Sequence, residues 1–402
     1  MKPSGATSRR NRAAGKSAAV KHVASHAQLL RDVSSAPAPS TRSRRSRPDA
    51  IIVPAARPAS ALTGLIELAA GLEVPLVMLC SGQATVGQVT ERLGRVHRAR
   101  GLVVQLDDGY ALPTARWSTG EFAAVSGGRS SDLSTKRNVG LLLGRLQGWN
   151  KIIFIDDDIT VSRTDIARLS TQLDSYQIAG MACRTHPDNS VFCHARRLAK
   201  LPQDVFVTGA VLGVNCGDLP LQFFPDIYNE DWFFFAETAA RHRLTKAGEA
   251  RQAEYDPFGS QARAEHEEFG DLLAEGLYSL IEDRGPRYSF RQLTHQANRR
   301  FWSSYIDVRR QNLHQVRSLL ASYVGRKDCG DGVEAAIASL TAADQRYEAA
   351  HSPITADRCV EFLEAWQQDI TAWSGYFAHT NSVGNARDAL DVLGLAQWES
   401  VR

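Results

Sequence analysis

The chain has 402 residues, 43% of them hydrophobic and 23% charged, enough to bury a full core and to form more than one domain. Its net charge is +3, but residues 1–49 hold eleven Lys and Arg against Asp32 and Asp49, and taking that +9 from +3 leaves −6 for residues 50–402. The six cysteines (Cys80, Cys183, Cys193, Cys216, Cys329, Cys359) lack zinc-ligand spacing, and no apolar run reaches the roughly 18–20 residues of a membrane helix, which argues against a metal-stapled module and a membrane span.

In chain order, residues 1–49 are rich in Ser, Ala, Pro and Arg and are expected to form a disordered basic tail, because they cannot bury enough apolar surface to offset the entropy of ordering. The Arg42–Arg47 run could give weak contact with an anionic surface; nucleic acid is not an expected partner. No apolar segment follows the basic start, so the expected location is the cytoplasm, with the cysteines as buried thiols.

Order is expected from Ala50. Ala50–Pro54 (AIIVP), Pro75–Cys80 (PLVMLC), Gly101–Leu106 (GLVVQL) and Lys151–Ile155 (KIIFI) are short apolar runs that read as buried strands. Between them Ser60–Gly71, Val86–Ala99 and Leu133–Gly148 carry helical spacing. The alternation predicts an α/β fold, a mostly parallel sheet flanked by helices. Beyond residue 270, Phe269–Ile281, Arg291–Arg326, Gly332–Ala350 and Ala356–Ala378 read as helices with no strand.

The strongest chemical signal is KIIFIDDDIT, Lys151–Thr160. Three carboxylates closing a buried strand repel one another unless a cation compensates them. Asp156 and Asp158 are hard oxygen donors suited to Mg²⁺ or Mn²⁺ shared with substrate phosphates. Just upstream, Asp132 or Ser134 is placed to cap a helix whose first turn carries Lys136 and Arg137. Cations there oppose the helix dipole, an arrangement that suits a bound diphosphate.

The segment Lys136–Ile159 (KRNVGLLLGRLQGWNKIIFIDDDI) resembles the Arg-Asn-x-Gly helix and DxD strand of GT-A-fold glycosyltransferases, most closely those of family 2. Ile51–Arg57 resembles that family's first strand and nucleotide-contacting loop, Leu76–Gly82 its second strand, and Val207–Gly213 the loop facing donor sugar and acceptor. Phe224–Phe235 resembles its "ED" segment. The resemblance covers residues 50–285, leaving 286–402 as a helical C-terminal region.

What it implies is a Rossmann-like GT-A sheet that moves a sugar from a UDP- or GDP-linked donor to an acceptor hydroxyl. Asp156 and Asp158 would hold Mg²⁺ or Mn²⁺, with His266 as a third ligand. Pro54, Arg57, Ser81, Lys136, Arg137, Asn138, Asp157, Gly209 and Trp232 would contact substrates. Asp231 would take the acceptor's proton in an inverting reaction, beside Glu230. Cys80-Ser81-Gly82 replaces the family's usual acidic residue at the base site, so the base is left open. The acceptor is unnamed, and its specificity is expected in the C-terminal helices.

Two other readings compete. Ile152–Thr160 also resembles the opening Asp-x-Asp-x-Thr motif of haloacid-dehalogenase-type phosphotransferases, where Asp156 would be a nucleophile. A non-enzymatic binding protein acting through its basic tail leaves the triple aspartate unexplained.

Overall fold

The computed structural model describes residues 21–37, 39–40, 43, 47–114, 116–185, 189–325, 332–348 and 352–401. The chain begins with β1 (Leu30–Asp32) and β2 (Ala50–Ala55), then α1 (Thr63–Leu72), β3 (Leu76–Cys80), α2 (Val86–Gly94) and β4 (Gly101–Gln105). A long loop leads to α3 (Leu133–Leu146), followed by β5 (Lys151–Ile155), β6 (Ile159–Thr160), α4 (Arg163–Gln172), β7 (Ile178–Cys183), α5 (Val191–Leu198) and β8 (Thr208–Asn215). Next come α6 (Glu230–Ala240), β9 (Leu244–Gln252) and α7 (Gln261–Arg284). The C-terminal region supplies α8 (Phe290–Gln296), α9 (Arg299–Ala321), α10 (Val333–Gln345), α11 (Ala356–His379), α12 (Ala386–Val392) and β10 (Trp398–Val401).

The strands form one mixed, mostly parallel sheet in the order β1-β9-β7-β8-β5-β2-β3-β4-β10, with β6 paired to β9. Strand β2 shows why these runs are apolar throughout. Ala50 and Ile52 face one core with α3, α6 and the C-terminal helices, while Ile51, Val53 and Ala55 face a second core with α1, α2 and α4. A strand covered on both faces has no polar side to show in its sequence.

The chain runs outward from β2 through β3 and β4, then returns to place β5 on the other side of β2. Ligands of open α/β sheets bind where strand order reverses in this way. Pro54 helps to open that point. Ile51 donates toward β3, to Pro75 O at 3.0 Å, so the alternate position 54 faces β5 without an N–H. The β2–β5 register accordingly ends at Ile52↔Phe154. Gly140 lets α3 lie close over this junction, since a Cβ there would sit 2.5 Å from the Phe154 ring.

Two expectations at the chain ends are corrected. Residues 21–37 pack against the fold: β1 pairs in parallel with β9, Leu29 is buried, and His26 lies against Trp232, Phe206 and Tyr278. Burial of Leu29 and ring packing around His26 give this segment apolar contacts that its composition did not suggest. His26 Nδ1 meets Glu282 at 2.9 Å and its Nε2 lies 3.6 Å from Glu275. Burial works against the imidazolium, but Glu275 and Glu282 outweigh it and raise its pKa to about 9. Residues 1–20 and most of Arg42–Arg47 fall outside the described residues. At the other end, β10 adds an antiparallel edge strand to β4.

The sequence window Arg291–Arg326 resolves into two helices, α8 and α9, because Asn298 caps the second by accepting from Arg300 N and Phe301 N. Cys80, Cys183, Cys193, Cys216 and Cys359 are buried, and Cys329 lies outside the described residues. Among the described residues no helix is long and apolar enough to cross a membrane.

Candidate functional site at the strand-order reversal

The ends of β2, β3 and β5 and the first turn of α3 bring most of the expected residues together. Asp157 joins the two central strands: its Oδ2 accepts from Ala56 N at 2.7 Å and Arg57 N at 2.8 Å. Arg57 returns across the crevice to Asp157 at 3.3 Å and to Asp158 at 3.1 Å. Asp158 also accepts from Gln252 Nε2 at 3.3 Å, a partner at the end of β9 with no signal in the sequence. Burial raises the Asp158 pKa above the usual carboxylate value, with Gln252 and Arg57 opposing and Asp157 adding to the rise.

The cations of α3 serve the fold first. Lys136 is 1% exposed and spends its ammonium on Ala55 O (3.0 Å), Ser81 Oγ (2.6 Å) and Asp132 (3.0 Å). Arg137 is 2% exposed and bridges Asp156, with Nη2 3.0 Å from both carboxylate oxygens, to Glu230 at 2.5 Å. Burial works against its charge, but Asp156, Glu230 and Asp231 outweigh it and hold the guanidinium above its ordinary pKa. The cations that oppose the helix dipole are thus compensated by internal carboxylates and a strand-end carbonyl. Asp132 forms an ion pair instead of a side-chain cap, and Ser134 donates to Pro225 O at 2.9 Å.

Gly209 lies on β8, which is a strand where a loop was expected. It has no room for a side chain, since a Cβ would sit 2.6 Å from Arg137 Nη1. Asp231 crosses to it, accepting from Gly209 N at 2.6 Å and from Trp232 N at 2.9 Å. The residue therefore ties α6 to β8, while the N-cap position is Asn229.

Asn138 lines a cavity beside the first turn of α3, while Trp232 and His266 are placed elsewhere. Asn138 is a buried clamp on Phe224, donating to its carbonyl at 2.8 Å and accepting from its N–H at 2.9 Å. Trp232 is only 8% exposed, with His26, Phe206 and Tyr278 around its ring. His266 sits on α7 against the Gly127 turn, and among the described residues no three His, Cys, Asp or Glu are grouped to hold a metal. Sequence reasoning also missed Arg129, which reaches Asp226 at 3.0 Å and Glu230 at 3.8 Å.

Mg²⁺ or Mn²⁺ take one or two protein carboxylates and complete their shell with water and phosphate oxygens, so Asp158 would hold such an ion with Asp156 joining only where Arg137 yields one of its oxygens. Asp158 is the better donor, because a cation would relieve the unfavourable charge that burial imposes on it. Its partner Arg57 has a side chain 44% exposed and room to swing toward a phosphate.

Asp231→Asn separates scaffold from chemistry. The amide NH₂ would face one of two backbone N–H donors, so a stability loss of about 1–3 kcal/mol is expected in urea denaturation. If the carboxylate also takes a proton, turnover falls by a further ~10²–10⁴-fold with donor affinity unchanged. A near-normal rate in a folded variant would leave it as a structural tie alone.

No family model matches the chain, and no curated protein is similar to it in sequence.

Proposed function

We propose that the protein is a metal-dependent glycosyltransferase that moves a sugar from a nucleotide-sugar donor to an acceptor hydroxyl. The reading rests on one observation above all: the DDD turn after β5 lies at the strand-order reversal, with Asp157 pinning the β2 loop and Asp158 held by the half-exposed Arg57. The sheet order around β4-β3-β2-β5-β8-β7, with β8 antiparallel, suits a GT-A-type core.

In this reading Arg57 releases Asp158 and pairs with the donor diphosphate. Ser81 accepts from Lys136, which leaves its hydroxyl hydrogen to donate to the nucleoside. Arg137 keeps Asp156 oriented. The divalent ion, when bound, neutralises charge growing on the leaving diphosphate. The acceptor oxygen forms a bond to the anomeric carbon as the bond to the diphosphate oxygen breaks, with the electron pair leaving on the nucleoside diphosphate. Asp231 receives the hydroxyl proton, and the anomeric configuration inverts. The phosphotransferase reading is less well supported, because an Asp156 chelated through both oxygens by Arg137 is a poor nucleophile.

The direct test is a thermal-shift screen of UDP and GDP with and without Mn²⁺. A ligand at 100 times its Kd stabilises by about 2.7 kcal/mol, so a clear metal-dependent rise in Tm with at least one nucleotide is expected. No shift with either would count against the reading.

A further inference from the structure

We propose that a cavity of about 460 Å³ beside the first turn of α3 is the acceptor site and that it takes a saccharide, a polyhydroxylated ring, in preference to an aliphatic chain. The assignment to an acceptor rests on the glycosyltransferase reading above; the saccharide chemistry rests on the cavity itself. Its size falls within the roughly 300–1,000 Å³ of small-molecule pockets. Neither this cavity nor a larger one of about 520 Å³, between residues 21–28 and the start of α9, is lined by the strand-edge carboxylates or Asp231, but this one holds Asp226, which is ion-paired through Arg129 toward Glu230 and Arg137.

The lining is amphipathic. Tyr110, Leu112, Trp117 and Phe223 supply apolar surface, and Arg116, Thr135 and Asp226 supply polar groups. Trp117 is stacked on Phe223 with ring centroids 4.8 Å apart and planes 14° from parallel, which holds the half-buried indole as a rigid platform. Such a platform suits the C–H face of a pyranose. The loop that carries it is anchored from the helical region: Asp369 of α11 accepts from Ser118 N at 2.8 Å, Thr119 N at 2.9 Å and Thr119 Oγ1 at 2.8 Å. The C-terminal helices therefore shape this wall.

Asp226 decides between ligand classes. Its carboxylate lines the cavity, is 53% exposed and meets Arg129 at 3.0 Å, which leaves lone pairs for further hydrogen-bond donors. Sugar hydroxyls supply them. An aliphatic occupant would desolvate the carboxylate and return nothing. Arg129 also links Asp226 to Glu230, and Glu230 pairs with the Arg137 that holds Asp156. One chain of charges thus runs from this cavity to the strand-edge carboxylates.

The test titrates the full chain with maltose, cellobiose and N,N′-diacetylchitobiose, and with farnesyl phosphate as the aliphatic competitor, by calorimetry. At least one disaccharide should bind, and Asp226→Asn and Trp117→Ala should each weaken it about tenfold or more. UDP or GDP affinity with Mn²⁺ should be unchanged in both variants. Asp226 is exposed, so its variant stays informative if Trp117→Ala fails to fold. Absence of disaccharide binding, binding indifferent to Asp226→Asn, or farnesyl phosphate binding in its place would overturn the proposal. Failure of the glycosyltransferase reading would appear separately, as absent nucleotide binding in the wild type.

Discussion

Arg137→Met is expected to destabilise the protein by about 3–5 kcal/mol, because it removes one partner from a buried ion triad. The guanidinium stands between Asp156 and Glu230, with Asp231 contributing to its field and Gly209 packed against it. Methionine fills similar volume but leaves the carboxylates without their compensating charge. Arg137→Lys restores charge without the fork that chelates both Asp156 oxygens, so it should recover only part of the loss. Combining Arg137→Met with Glu230→Gln should cost less than the sum of the two single changes, since each alone strands the other's charge. Urea denaturation of the wild type and the four variants measures this. An Arg137→Met variant as stable as the wild type would show that the triad contributes little.

Asp158→Ala should behave in the opposite way. The folded protein raises the pKa of this carboxylate, so its charge is disfavoured in the native state relative to the unfolded chain. The sign follows: the group adds no cost below the unfolded pKa, and a cost grows as pH rises through the folded value. Removing the carboxylate should leave stability at neutral pH unchanged or slightly higher. Turnover of a nucleotide sugar should nevertheless fall by about 10²–10³-fold, the scale of losing one electrostatic contact to developing charge. UDP or GDP binding should lose its dependence on Mn²⁺. A stable variant with full activity, or a wild type active in excess EDTA, would remove Asp158 from the metal site. The two substitutions thus distinguish a structural charge from a functional one a few residues away in space.

Much of the central sheet was legible because strands covered on both faces are written as unbroken apolar runs. Lys151–Ile155 lies within the bounds read from the sequence, and the other three strands differ by one residue at an end. The three aspartates were legible as a candidate site for the same reason, as charge in a place where burial is costly. β6, β7 and β9 were not read, β8 was expected to be a loop, and the edge strands were missed too. β1 and β10 are short and partly polar, and each is defined by a partner about 200 or more residues away, Leu244–Lys246 for one and Gly101–Val104 for the other. Local periodicity carries no information about such pairings.

The sequence by itself determined four of the strands and the helices between them, that a carboxylate cluster closes β5, and that Lys136 and Arg137 open α3. Each follows from side-chain pattern or from the adjacency of charges along the chain. Only the tertiary structure decided what those charges meet. Lys136 is committed to Ala55, Ser81 and Asp132, Arg137 to Asp156 and Glu230, and Asn138 to the backbone of Phe224. Trp232 lies under a segment whose composition suggested disorder. Buried charge is tolerated only when paired, and pairs such as Arg137–Glu230, 93 residues apart, exist only once the sheet has closed.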